Sequence, residues 1–191
     1  MLRRLSQSDK KEFYTDGVEH VIPRNVDWEV QKNQYSGKKK THTLKNTIFS
    51  DANAQIHYLS PTYEGKTHDK KINEQEDIEL PENSQCYQDT GFAGYSPKGE
   101  KITIIMPDKK TKGRELAQEQ KQRNKPIARV RVKVEHVISG IKRLRMIKDK
   151  IRPWANDFRD QVMEIACGLH NFRLRFRACL KKTDLLKSQA E

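Results

Sequence analysis

The sequence predicts an α/β fold, a mixed five-stranded sheet flanked by helices. Three observations carry this: β-rich runs with period-two apolar spacing fill the first half, a polar turn joins two of them, and apolar residues at three- and four-residue steps fill the last third. With 191 residues the chain has room for one domain with a real core.

The first strand starts at Phe13 and Tyr14, passes Asp16, Val18, Val21 and Ile22, and stops at Pro23. A polar segment from Asn25 to Lys40 follows, carrying Trp28, Tyr35, Gly37 and the triplet Lys38, Lys39, Lys40, and reads as an exposed loop. THTLKNTIF and QIHYLS then flank the short polar turn 50–54, which indicates an antiparallel hairpin. In PTYEGKTHDKKINEQEDIEL a loop leads into a short helix. The run from Ser84 to Gln88 is a strand that ends at Asp89, because Gly91 and Gly94 break the pattern. KITIIMP is the fifth strand, stopped by Pro107.

After the basic loop PDKKTKGRE, a polar helix is expected from about Glu115 to Asn124, and then a second helix. Ile127, Val130, Val134, Val137, Ile138, Ile141 and Leu144 give that second helix one apolar face, with Arg131, Glu135, Ser139 and Lys142 on the opposite stripe. Pro153 marks the start of a last helix, since proline is tolerated only in a first turn. There Phe158, Val162, Ile165, Leu169, Phe172 and Phe176 are expected to pack on the sheet, or to form a seam with a second subunit. Hairpins first and crossovers later suit a ribonuclease-H-like layer, in which the first and fourth strands lie side by side.

Charge narrows the partners. Lys+Arg 38 against Asp+Glu 26 leaves a net +12, which favours a polyanion because each neutralised phosphate releases counterions. A merely solvated basic surface is the alternative. The hydrophobic fraction is 34%, no apolar run approaches the roughly 20 residues that span a bilayer, and the N-terminus lacks a secretory apolar region. No membrane partner is expected. The location expected is cytoplasmic, nucleoid-associated in a prokaryote or nuclear in a eukaryote. Cys86, Cys167 and Cys179 lack C-x-x-C spacing and read as inert thiols. The histidines His42, His57, His68 and His136 give no paired zinc spacing.

Three acids stand out by their settings: Asp16 in FYTDGVEHVI, Asp89 in SQCYQDTGFAG and Glu135 in ARVRVKVEHVISGIK. Cutting a phosphodiester must overcome phosphate charge and a poor leaving group, and two divalent ions roughly 3.5–4 Å apart meet both needs. Mg²⁺ uses hard oxygen ligands and few protein carboxylates. Two Asp and one Glu are such a set, although a chain with 26 acids offers many triples. Without metal the three would repel, and one would be driven to protonate.

The words TDGVEHVI, YSGKKKTHTLKN, GKTHD, DTGFAGYSP, NKPIARVRVKVEHVISGIK and CGLHNFRLRFR, in that order, resemble the DDE transposases, specifically the insertion-sequence type that shares its catalytic domain with Harbinger nucleases. The likeness runs from about Asp16 to Arg177. It implies a ribonuclease-H-like domain over 13–178, with a lead-in over 1–12 and a polar tail over 179–191. It also implies cleavage of DNA at transposon ends and transfer of the freed 3′ ends, with Asp16, Asp89 and Glu135 as catalytic ligands of Mg²⁺ or Mn²⁺, two ions in all. A homodimer or larger assembly on DNA follows from the need to hold two ends.

DNA contacts are expected from Lys38, Lys39, Lys40, Lys109, Lys110, Lys112, Arg131 and Lys142, or else these pair with acids and solvate the surface. Arg114 belongs to the same basic loop. His68-Asp69 and His170-Asn171 recur in the family's pattern, with no role foreseen beyond loop and helix packing. Trp28 and Tyr35 either anchor their loop or stack on unpaired bases. The family's helix-turn-helix segment normally precedes the first Asp, and only fifteen residues precede Asp16, so that segment is expected to be missing. An inactive DNA-binding remnant, a nuclease that does not transpose and a plain basic nucleic-acid-associated protein are the competing functions.

Overall fold

The computed structural model describes residues 5, 8–109, 117–150 and 156–187, and in the last segment the side chains of 158–177. The strands are β1 (Glu12–Val21), β2 (Tyr35–Ser36), β3 (Thr41–Asp51), β4 (Ile56–Leu59), β5 (Tyr63–Glu64), β6 (Gln85–Tyr87) and β7 (Thr103–Ile105). The helices are α1 (Trp28–Gln34), α2 (Asp69–Glu76), α3 (Gln118–Ile141), α4 (Arg145–Lys148) and α5 (Asn156–Lys187).

β1 is central. It pairs antiparallel with β3 on one side and parallel with β6 on the other, and β6 pairs parallel with β7. The outer edge of β3 is shared by β2, β5 and β4 in succession. Seven strands therefore make one mixed sheet, five strands across, flanked by helices in the ribonuclease-H-like manner expected.

Alternation along β1 separates two apolar layers. Val18 packs with Ile48, Val137, Ile141, Ile147, Val162, Met163, Ala166 and Cys167, so α3, α4 and α5 cover one face. Phe13 packs with Phe49, Tyr58, Ile78, Leu80 and Cys86 on the other. α2 is held to that second side by Glu76, which accepts hydrogen bonds from the hydroxyls of Tyr58 and Tyr63.

Three expectations are corrected. Residues 28–34 form a helix and not a loop, because Asp27 caps it by accepting from the N–H groups of Glu29 and Val30. The two helices expected on either side of Pro126 are one, α3, which runs through that proline. The carbonyl freed by the missing proline N–H lies on an exposed stretch, where water can satisfy it. Finally, Phe158, Ile165, Leu169, Phe172 and Phe176 are exposed. The core takes the neighbouring stripe of α5, Val162, Met163, Ala166, Cys167 and His170.

That choice has a steric cause: α5 approaches α3 at Gly140, where a Cβ would lie 2.1 Å from Nδ1 of His170. His170 and Asn171 fasten α5 to the hairpin. The His170 Nε2 is 2.9 Å from the Ala54 carbonyl, and the Asn171 amide both donates to and accepts from the backbone of Ile56. Pro153 lies outside the described residues. Among them, no helix is long and apolar enough to cross a membrane.

Candidate active site

The parallel register between β1 and β6 builds the site. Tyr14 sits opposite Tyr87, with ring centroids 5.1 Å apart; two residues further along β1 comes Asp16, and two residues past Tyr87, just beyond the end of β6, comes Asp89. A period of two keeps each aspartate on the face of its tyrosine, the face α3 covers. Lys133 of α3 lies over the Tyr14 ring at 5.8 Å. Asp16 and Asp89 line one narrow cleft with Thr15, Tyr87 and Gln88 from the sheet, and Ile127, Val130, Arg131 and Val134 from α3.

The aspartates are held alike. One oxygen of Asp16 accepts from the Gly17 N–H at 2.7 Å, and one of Asp89 accepts from the Thr90 N–H at 2.7 Å. Each carboxylate is thereby fixed to its own backbone, with an oxygen left for another partner. Arg131 approaches the same Asp89 oxygen that takes the Thr90 N–H, Oδ1, with its guanidinium 3.4 Å away.

Burial pushes the Asp16 carboxyl up to about 6, against its Gly17 hydrogen bond; Asp89 and Asp69 push the same way and Arg131 opposes them. An acid raised by desolvation and by a neighbouring acid is one that a bound cation would relieve. Two carboxylates also match what Mg²⁺ asks of protein, since it retains several waters. The donor set fits a hard divalent ion.

Glu135 does not line the cleft. It is exposed on α3, one turn beyond Arg131, and the cleft lining ends at Val134. Among the described residues, no group of three or more His, Cys, Asp or Glu side chains is gathered closely enough to hold a metal.

The predicted DNA contacts divide. Arg131 is in the cleft. Lys142 is half-buried at the end of α3; burial and Lys39 depress its pKa, while Glu19 and Asp16 favour its charge. It is therefore coupled electrostatically both to Asp16 and to the basic turn. Lys38, Lys39 and Lys40 are exposed on that turn, which joins β2 to β3, with Lys40 left-handed at φ 53°. Lys109 is exposed beyond β7, whereas Lys110 and Lys112, like Arg114, fall outside the described residues.

Asp69, noted in the sequence only within His68-Asp69 with no role beyond packing, lies beside the site. It opens α2 on the opposite face of β1, where its carboxylate pairs with Lys45 at 3.4 Å. A Cβ on Gly17 would meet its Oδ1 at 3.2 Å, and one on Gly91 its Oδ2 at 3.5 Å. Asp69 thus fills the space left by the two glycines that follow Asp16 and Asp89. The available signal was glycine close behind each aspartate.

A mixed sheet with one aspartate in the middle of β1 and another just past the end of the adjacent, parallel β6 defines the layout of a ribonuclease-H-like nuclease. The model of the DDE superfamily endonucleases matches residues 15–171, and the chain belongs to that family. It is also 32% identical over 149 residues to a probable transposase for insertion sequence element IS702 from Microchaete diplosiphon. That alignment covers 78% of this chain and 52% of the relative, so the chain spans about half the length of the curated protein it matches. No solved structure matches it.

Proposed function

We propose that this chain is the catalytic part of a transposase, cutting DNA at transposon ends and transferring the freed strand with two Mg²⁺ or Mn²⁺ ions. The observation that carries the reading is that Asp16 and Asp89 line one cleft where β1 and β6 lie side by side, with the pKa of Asp16 raised to about 6. Asp16 and Asp89 would hold the ions from the sheet, and Glu135 would complete the set from α3. The ions would activate the attacking oxygen and stabilise the leaving one.

The protein's own contribution is positional. Gly17 and Thr90 N–H groups fix the two carboxylates. Arg131 pairs with Asp89 in the cleft, and Lys142 is coupled electrostatically to Asp16 and to Lys39, which supports a path for the phosphate backbone. Such contacts position DNA without reading sequence. Two copies would be needed to hold two ends. The exposed α5 residues Phe158, Ile165, Leu169, Phe172 and Phe176 repeat at the alternating spacing of a coiled-coil seam, so a second copy of α5 is the occupant they fit.

The test is nicking of transposon-end DNA in Mg²⁺ or Mn²⁺ by this chain and by Asp89→Asn. Metal-dependent nicking abolished by the substitution is the expected result; equal nicking by both sinks the catalytic assignment. The Arg131–Asp89 ion pair favours a second reading, an inactive DNA-binding remnant whose own cation occupies the place of an ion. DNA binding without nicking by either protein would select it.

A further inference from the structure

We infer that the chain carries a second nucleic-acid site, a stacking pocket for an unpaired base, formed by α1 and the β2–β3 hairpin. The pocket has a volume of about 340 Å³ and is lined by Arg24, Trp28, Gln31, Lys32, Tyr35 and His42. That lies at the small end of the roughly 300–1,000 Å³ found for small-molecule pockets.

Its construction starts in the sequence of α1. Trp28, Gln31 and Lys32 fall at steps of three and four, one face of α1, and Tyr35 follows directly as the first residue of β2. In an ordinary amphipathic helix that face would be buried. Here Trp28 is 67% exposed and Tyr35 45% exposed, so the two aromatics stand open toward the pocket. The floor is rigid: buried Gln31 accepts from the Arg24 Nε at 2.6 Å and donates to the Asn25 carbonyl at 2.6 Å. The wall is equally fixed. Tyr35 pairs with His42 across the β2–β3 ladder, with their rings edge to face at 5.7 Å.

Charge selects the occupant. Arg24 and Lys32 line the pocket without any acid among the lining residues, and Lys38, Lys39 and Lys40 follow directly on the turn. An apolar protein segment would have no use for five cations around two aromatics. A nucleotide uses both, stacking its base on an aromatic face while its phosphates meet the lysines. The pocket is tied to the chain that carries Asp16: the Ile22 N–H bonds to the His42 carbonyl, and Ile22 lies six residues beyond Asp16, roughly 20 Å along an extended strand. The pocket is placed to take a base from the same DNA, about six nucleotides from the cleft at 3.4 Å per nucleotide.

This inference rests on the proposal that the chain holds DNA, and the experiment separates the two. Binding of the full chain is measured by fluorescence anisotropy to a thymidine strand, to an abasic strand of the same length and to a duplex, for the parent and for Trp28→Leu. Trp28 is exposed, so the substitution leaves the fold intact. The expected result is a loss of about tenfold for the thymidine strand, with abasic-strand and duplex affinities unchanged and with Trp28→Phe restoring the loss. An equal loss on all three ligands, or none on the thymidine strand, overturns the stacking pocket while the duplex arm upholds DNA binding. A Trp28→Leu protein that keeps its thymidine affinity but loses self-association in sedimentation assigns the pocket to a second copy instead. Failure of the parent to bind duplex removes the DNA reading itself.

Discussion

Replacing Asp16 by Asn should stabilise the metal-free protein. A carboxyl moved from 3.8 to about 6 keeps its proton in the native state over a range where the unfolded chain has released it. The native state then binds more protons, so stability falls as pH rises from about 4 to about 6 and stays lower above. At about 1.4 kcal/mol per pH unit, ionised Asp16 costs the fold up to roughly 3 kcal/mol. Asparagine cannot ionise, yet its amide oxygen can still accept from the Gly17 N–H. Urea unfolding in the presence of chelator should therefore show Asp16→Asn more stable than the parent by up to roughly 3 kcal/mol near about pH 8, and no more stable near about pH 3. A variant equal to or weaker than the parent at the higher pH would refute the reasoning. A stabilising loss of a functional group is the pattern expected where an active site is held against its own repulsion.

Arg131→Ala removes the cation that pairs with Asp89 and opposes the rise at Asp16; the Asp16 midpoint, followed by carboxyl NMR, should move above about 6, and an unmoved midpoint would disconnect Arg131 from the site. Asp69→Asn leaves the largely buried Lys45 ammonium without its carboxylate and should cost about 1–2 kcal/mol in denaturant unfolding, between the values for exposed and buried pairs. It should also lower the Asp16 midpoint, since Asp69 pushes it up. Gly140→Ala drives a methyl into His170, and a loss of at least about 1–3 kcal/mol in thermal unfolding is expected from overpacking between α3 and α5.

Much of the fold was legible because it rests on local pattern. β1, the hairpin, β6 and β7 announced themselves by alternation and by the breakers Pro23, Gly91 and Pro107. Helix α1 escaped because WEVQKNQ has too few apolar residues for a periodic signal, and its one sign was the capping Asp27. The core-facing side of α5 was misread for a different reason. Its phenylalanines are the stronger apolar signal, but the small residues Ala166 and Cys167 let the helix approach closely, and packing followed shape over hydrophobicity. At the candidate site, Asp16 and Asp89 are singled out by strand order together with the words around them. Asp69 is not, because its neighbours are two glycines without side chains and the contact spans the sheet. Glu135 lay on the expected helix, but sequence spacing fixes a helix face and not how far a side chain reaches toward the cleft.

The central claim is that Asp16 and Asp89, joined by Glu135, hold divalent cations. Mn²⁺ binding followed by electron paramagnetic resonance tests it without requiring DNA or turnover. The account predicts bound Mn²⁺ in the parent, with affinity rising as pH passes about 6 and Asp16 gives up its proton. It also predicts loss of that binding in Asp89→Asn and weakening in Glu135→Gln. Binding that is absent from the parent, or that persists unchanged in Asp89→Asn, would contradict it.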